Sequence, residues 1–228
     1  MSMTIILLRH AESGKNVKNS FSSAEMDNNE VLTQNGIEQA SCMGDSILNY
    51  CKKNNIKNIN VYSAKSLRSL QTAEIISRKL NCTFKSIDGV KSFNFGTNAG
   101  QKEIDVKREQ SKFYHDLTLY RKGVVNSYDI IYEGSKETLK NYESYVCDSI
   151  NLFIDKMKEN ELSIFIIHRS AITAYLLFLA RKYLNYPEEF YGYIQLDLGG
   201  ICIFKLKNGE LEYLDVNLTT DEFMNDFL

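Results

Sequence analysis

Apolar residues in this chain fall into two patterns: short solid runs and longer one-sided stripes. Residues 3–8 and 162–167 (LSIFII) are solid runs, as expected of strands buried on both faces. Residues 58–62 and 83–87 read as two further strands. Between them lie stripes with helical spacing. Ile37, Ala40, Met43, Ile47 and Leu48 share one face behind Thr33, whose hydroxyl suits the cap of a helix ending near 52–55. A second helix is predicted at 66–80. A third covers 136–159, with Leu139, Tyr142, Val146, Ile150, Phe153, Ile154 and Met157 on its stripe. An apolar helix follows His168 and runs to about Tyr183.

This alternation predicts an α/β fold with a largely parallel sheet. Residues 192–216 hold two or three closing strands, with a turn at Asn208-Gly209. Residues 11–33 read as polar and irregular, 88–100 as a loop with three glycines, and 101–121 as a charged surface helix. There is no repeat, low-complexity segment or linker. One domain over 1–228 is expected, with about 88–135 as a cap insertion. Tyr114, Tyr120, Tyr128 and Tyr132 read either as core packing or as the lining of that cap.

Composition narrows the function classes. Apolar content is 43%, charged content 25% and net charge −2, so no global field favours nucleic acid or an anionic membrane. Anion binding must come from a local cluster of cations. The five cysteines are odd in number and form no Cys-x-x-Cys, which argues against a disulfide framework or a zinc site. Reduced thiols in a cytoplasmic protein are the simplest expectation. The first apolar run stops at Arg9 and lacks a basic leader, unlike a signal peptide. The apolar stretch at 164–180 carries His168 and Arg169, unlike a membrane span.

Both strongest strands run directly into a histidine, LLRH at 7–10 and FIIH at 165–168, in a chain with three histidines. In parallel α/β sheets ligands bind beyond the carboxyl ends of the strands, so His10 and His168 are expected on one rim. Arg9 and Arg169 accompany them, and Arg68 opens the helix after the 58–62 strand. Planar guanidinium forks match phosphate oxygens, and a histidine can carry a phosphoryl group covalently. Either histidine alone reads more simply as a structural residue. With Arg9 and Arg68 beside them, that reading requires cations to gather around nothing anionic, at a cost in repulsion and desolvation. A metal site is the weaker alternative, since neither histidine has a carboxylate or thiolate at ligand spacing.

The segment LLRHAESGKN at 7–16 resembles the Arg-His-Gly signature of the histidine phosphatase superfamily, the phosphoglycerate mutase-like proteins, with Ala11 in the glycine position. LTQNGIEQA at 32–40, VYSAKSLRSLQTAEII at 61–76 and IFIIHRSAI at 164–172 are similar to three further family blocks, in family order. The resemblance implies a three-layer α/β/α sandwich with a mostly parallel mixed sheet. It implies His10 as the phosphorylated nucleophile, and a catalytic pocket of His10, His168, Arg9 and Arg68. Asn16 and Ser13 are the further contacts it implies, while Arg169, where the family has glycine, reads either as a phosphate or substrate contact or as a solvated arginine at a helix start. No metal or other cofactor is implied. The expected partner is a small phosphorylated molecule, neither nucleic acid nor membrane, and monomer and homodimer both stay open.

One departure bears on chemistry. The family's proton donor stands in a pattern like Leu-x-Glu-x-x-x-Gly-x-x-Glu-Gly. In VKSFNFGTNAG at 90–100, Ser92 takes the first acid's place and Ala99 the second's. The alternative arrangement, an Asp after the second histidine, is replaced by Arg169. Asp88, Glu103, Asp105 and Glu133 are near enough in sequence to be candidate replacements, though each reads more simply as a surface carboxylate. Three functions follow: a metal-independent phosphatase for phosphomonoesters or activated phosphates, a phosphoryl-ligand-binding or regulatory protein with weak or no turnover, and, less favoured, a phosphoglycerate mutase.

Overall fold

The structure, a computed structural model, describes residues 2–19, 30–102, 104–106, 115, 119, 131, 134–184 and 196–227. Six strands form one sheet: β1 (Met3–Arg9), β2 (Asn58–Ser63), β3 (Phe84–Ser86), β4 (Glu161–Ile167), β5 (Ile201–Lys207) and β6 (Glu210–Leu218). Their order is β3-β2-β4-β1-β5-β6. β1, β4, β2 and β3 run parallel, while β5 and β6 close the sheet antiparallel. The expected mixed, mostly parallel sheet is present.

Strand alternation sorts the core into two layers. Ile5 and Leu7 of β1, with Phe165 and Ile167 of β4, pack against α4 (Leu139–Ile154) and α5 (Arg169–Leu179). Ile6, Leu8, Leu162, Ile164 and Ile166 face α2 (Gln34–Lys53) and α3 (Leu67–Lys79). Both faces of β1 and β4 are therefore covered, which is why their sequences are solid apolar runs. Each such aliphatic side chain, fully buried, contributes roughly 1.5–3 kcal/mol. The edge strand β3 has three residues, and a short edge limits unwanted pairing.

Several predicted boundaries move. The 136–159 helix is shorter, Leu139–Ile154, with Thr138 as its cap accepting from Asn141 N. The helix after His168 ends at Leu179 and continues as a wider turn, Ala180–Leu184. The 11–33 stretch is not wholly irregular: α1 (Gly14–Lys18) begins it, and Asn19 ends that helix at φ 49°. Ile37 does not join the core; it is exposed, because the buried stripe of α2 begins at Gly36 and Ala40. α6 (Thr220–Phe227) carries no expectation above. Its Phe223 packs on Tyr50 with ring centroids 5.5 Å apart. The expected 101–121 helix and the cap fall largely outside the described residues, as do Tyr114, Tyr120, Tyr128 and Tyr132.

Candidate active site

β1 and β4 are neighbours in parallel register, with Arg9 opposite Ile167. One residue further on, His10 and His168 must lie side by side. His10 N donates to Ile167 O at 3.1 Å, and the two rings meet edge to face with centroids 5.3 Å apart. Both side chains are buried, and so is Arg68 at 1% exposure. The first turn of α3 delivers Arg68 to the same rim.

Arg68 donates Nε–H to His10 Nε2 at 3.0 Å and Nη2–H to His168 Nδ1 at 3.2 Å. A guanidinium cannot accept a hydrogen bond, so both contacted ring nitrogens carry lone pairs. Nδ1 of His10 faces its acceptor, the Ala11 carbonyl, at 2.9 Å and holds the ring proton. His10 is thus a neutral imidazole with its basic nitrogen, Nε2, toward Arg68. His168 is neutral in the opposite tautomer, with its proton on Nε2. Burial is the first cause that holds both pKa values well below 6.5. Arg68 adds to it at both rings, and Arg9 acts on both. His168 further depresses His10, and Lys15 of α1 depresses His168. Lys15 is a cation of this site that the sequence reading did not single out.

The other expected residues divide. Arg9 ends β1 half-buried, and its guanidinium donates to the Leu196 carbonyl. Ser13 is buried, and Asn16 Oδ1 accepts from both Ser13 Oγ (2.7 Å) and Ser13 N (3.0 Å). With its carbonyl oxygen so engaged, Asn16 has its amide N–H groups left to offer an anion. Arg169 stands exposed in the first turn of α5.

Two further quoted blocks act as scaffolding for the loop after His10. Thr33 N donates to Glu12 O at 3.1 Å and Thr33 Oγ1 to Glu12 Oε1 at 2.6 Å, while Gln39 Oε1 accepts from Glu12 N. A Cβ on Gly36 would sit 2.0 Å from Glu12 O, so the helix can approach this loop only with glycine there. From α3, Thr72 Oγ1 accepts from Ala11 N and donates to Arg68 O.

Beside His168 opens a cavity of about 340 Å³, lined by Lys65, Ser66, Ile87, Asp88, Gly89, Lys91, Ser92, Glu137 and Tyr145. Ser92, in the place of the expected acid, is buried on its wall. Asp88 is exposed and pairs with Lys65 at 2.6 Å, whereas Asp105 is not among the lining residues. Glu103 and Glu133 lie outside the described residues. Glu137, absent from the sequence candidates, pairs with Lys91 at 2.9 Å and accepts from Asn94 N at 3.2 Å. It stands four residues beyond the candidate Glu133, and its place on this wall comes from its contacts with Lys91 and Asn94. Among the described residues no group of three or more His, Cys, Asp or Glu side chains could hold a metal ion. No helix among them is long and apolar enough to cross a membrane.

A family model described as histidine phosphatase superfamily, branch 1, matches residues 5–219. No curated protein matches the chain in sequence. Among solved structures it is similar to a mutant Entamoeba histolytica phosphoserine phosphatase in complex with phosphoserine, at 24% identity and TM-score 0.72 over 95% of this chain and 98% of that one. It is also similar to a mycobacterial hydrolase, at 14% identity and TM-score 0.76 over 96% and 100%. A Shigella flexneri alpha-ribazole phosphatase matches at 18% identity and TM-score 0.71 over 95% and 97%. These likenesses establish the fold.

Proposed function

This chain belongs to the histidine phosphatase superfamily, and from that premise we propose that it is a phosphatase hydrolysing a phosphomonoester or activated phosphate through phospho-His10. The observation that carries the reading is the buried Arg68 fork on two neutral imidazoles. A nucleophile needs an unprotonated lone pair, and His10 Nε2 has one, which accepts from Arg68 Nε–H until an anion takes that donor. Arg68, Arg9 and the Asn16 amide supply donors for phosphate oxygens. On binding, Arg68 exchanges its imidazole acceptors for the anion. His168, with its proton on Nε2, can donate to the oxygens as charge develops in the transition state.

His10 Nε2 attacks phosphorus. The bond to the leaving oxygen breaks, its electron pair stays with that oxygen, and a proton from solvent completes the alcohol. Water then attacks the phosphohistidine and releases a proton to solvent, the P–N bond breaks with its electron pair returning to Nε2, and inorganic phosphate leaves. Every group in this sequence belongs to the chain, the substrate or water, so no metal is required.

Ser92 qualifies the rate. Without a positioned acid, a poor alkoxide leaves roughly 100- to 10,000-fold more slowly. Among the described residues, the carboxylates lining the adjoining cavity, Asp88 and Glu137, are each paired with a lysine rather than poised as donors. This favours leaving groups that need little protonation. It also supports a second reading, a phosphoryl-ligand-binding or regulatory protein with weak turnover. The similar proteins include phosphatases named for phosphoserine and alpha-ribazole esters, different alcohols that agree on a small phosphorylated substrate.

The test is an alkaline quench of enzyme mixed with p-nitrophenyl phosphate without added metal, followed by mass analysis. The phosphatase reading expects a p-nitrophenol burst and a phosphoryl adduct on His10. Vanadate binding with no p-nitrophenol release would move the assignment to the binding protein.

A further inference from the structure

We propose that the cavity beside His168 is a leaving-group subsite selective for an alcohol that carries both a cation and an anion, as an amino-acid alcohol does. The proposal rests on the phosphoryl pocket assigned above, because His168 is the wall the two spaces share.

Among the described residues, the cavity lining carries two ion pairs, two cations and two anions in one space. Lys65 Nζ meets Asp88 Oδ1 at 2.6 Å, and Lys91 Nζ meets Glu137 Oε1 at 2.9 Å. Ile87 and the Tyr145 ring add apolar lining beside these charges. An apolar alcohol entering here would strip water from four charged heads and return nothing to them. An alcohol with one negative charge would meet two carboxylates, and one with a single positive charge would meet two ammonium groups. A zwitterion satisfies all four: its carboxylate faces Lys65 and Lys91 while its ammonium faces Asp88 and Glu137.

The loop that brings Lys91 and Ser92 to the cavity is fastened by residues outside its lining. Tyr142 Oη donates to Lys91 O at 2.9 Å and lies 2.8 Å from Ser170 Oγ, which accepts from Phe93 N at 3.3 Å. A tyrosine has one hydroxyl proton. Tyr142 therefore gives its proton to Lys91 O, and Ser170 gives its own to Tyr142. Both peptide groups flanking Ser92 are thereby tied to α4 and α5, and Glu137 fastens the same loop at Asn94 N. The backbone of this loop and the Glu137 carboxylate are held in place before any ligand arrives, which lowers the ordering cost of binding.

The subsite also fits the loss at Ser92. An ammonium close to the ester carbon draws electron density from the departing oxygen. That alkoxide needs less help from an acid than a plain alkyl one.

Three phosphate esters isolate the two charges: O-phosphoserine, 3-phosphoglycerate (a hydroxyl in place of the ammonium) and O-phosphoethanolamine (no carboxylate). Their Kd values are measured by calorimetry on the His10→Ala protein, which cannot turn them over. Wild-type p-nitrophenyl phosphate hydrolysis is measured alongside. The net charge of the phosphoryl pocket alone ranks 3-phosphoglycerate first, as the most negative ligand. The subsite instead ranks phosphoserine first, by at least about fivefold over each analogue. Adding Asp88→Asn should close the gap to 3-phosphoglycerate, and adding Lys65→Met the gap to phosphoethanolamine. Three Kd values within twofold, 3-phosphoglycerate tightest, or gaps untouched by these substitutions would overturn the subsite. A flat ranking with wild-type turnover intact rejects the subsite alone. The predicted ranking without wild-type turnover supports the subsite and rejects the phosphatase reading instead.

Discussion

A guanidinium that donates to two imidazoles fixes which nitrogen of each can act, and Arg68 does this from almost complete burial. Lysine would keep the charge and lose the fork, since one ammonium cannot reproduce two donors in fixed planar geometry. Arg68→Lys is therefore expected to weaken phosphate and vanadate inhibition by roughly 10- to 100-fold, the worth of charge-assisted hydrogen bonds. Inhibition constants equal to wild type would remove Arg68 from the phosphate pocket. At this scale the sequence was informative because the chemistry is local: LLRH and FIIH place a histidine at the end of an unmistakable strand. The tautomers were not legible, because they depend on Arg68, distant in sequence from both partners.

At the scale of elements, the structure ties the loop of the missing acid to two helices. Tyr142→Phe removes the hydroxyl that joins Lys91 O to Ser170 Oγ. It takes the donor from the Lys91 carbonyl and the acceptor from the Ser170 hydroxyl in a part-buried region, at an expected cost of about 1 kcal/mol. Urea unfolding of the variant beside wild type measures it, and an unchanged midpoint would show that the relay carries no stability. The solid apolar runs of β1 and β4 were readable because both faces of each strand are covered. The shorter elements were less so. α1 is five residues long, too short for a periodic pattern, and its boundary is set by the Ser13–Asn16 contact. α6 is held by Phe223 against Tyr50, a contact across the chain that local spacing does not encode. Ile37 fits the α2 stripe by spacing yet is exposed, because burial there starts where Gly36 meets Glu12.

At the scale of the whole molecule, the site joins segments from both ends of the chain, and the parallel pairing of β1 and β4 puts them in register. That assembly has a signature in stability. Unfolded histidines take up a proton near 6.5, while His10 and His168 in the folded protein are held well below that value, chiefly by burial. Above this pH neither state binds the proton and stability does not respond. Below it the unfolded chain gains protons that the native site refuses, so stability falls as pH drops from 6.5 toward the native values. The slope approaches roughly 1.4 kcal/mol per pH unit for each histidine. Urea midpoints between pH 7 and 5.5 should show it, with one histidine's share missing in His10→Asn. Identical slopes in the two proteins would mean that His10 is not held neutral. The mixed-charge cavity belongs to this scale too. Lys65 precedes α3, Asp88 and Lys91 share the loop after β3, and Glu137 precedes α4; nothing in their spacing announces that they share one space with His168.

The central claim is that His10 is the nucleophile of a metal-independent phosphatase. It is tested most directly by steady-state hydrolysis of p-nitrophenyl phosphate without added metal, wild type beside His10→Ala. The account predicts turnover by the wild type and none above background in the variant. Turnover by His10→Ala at the wild-type rate would contradict it.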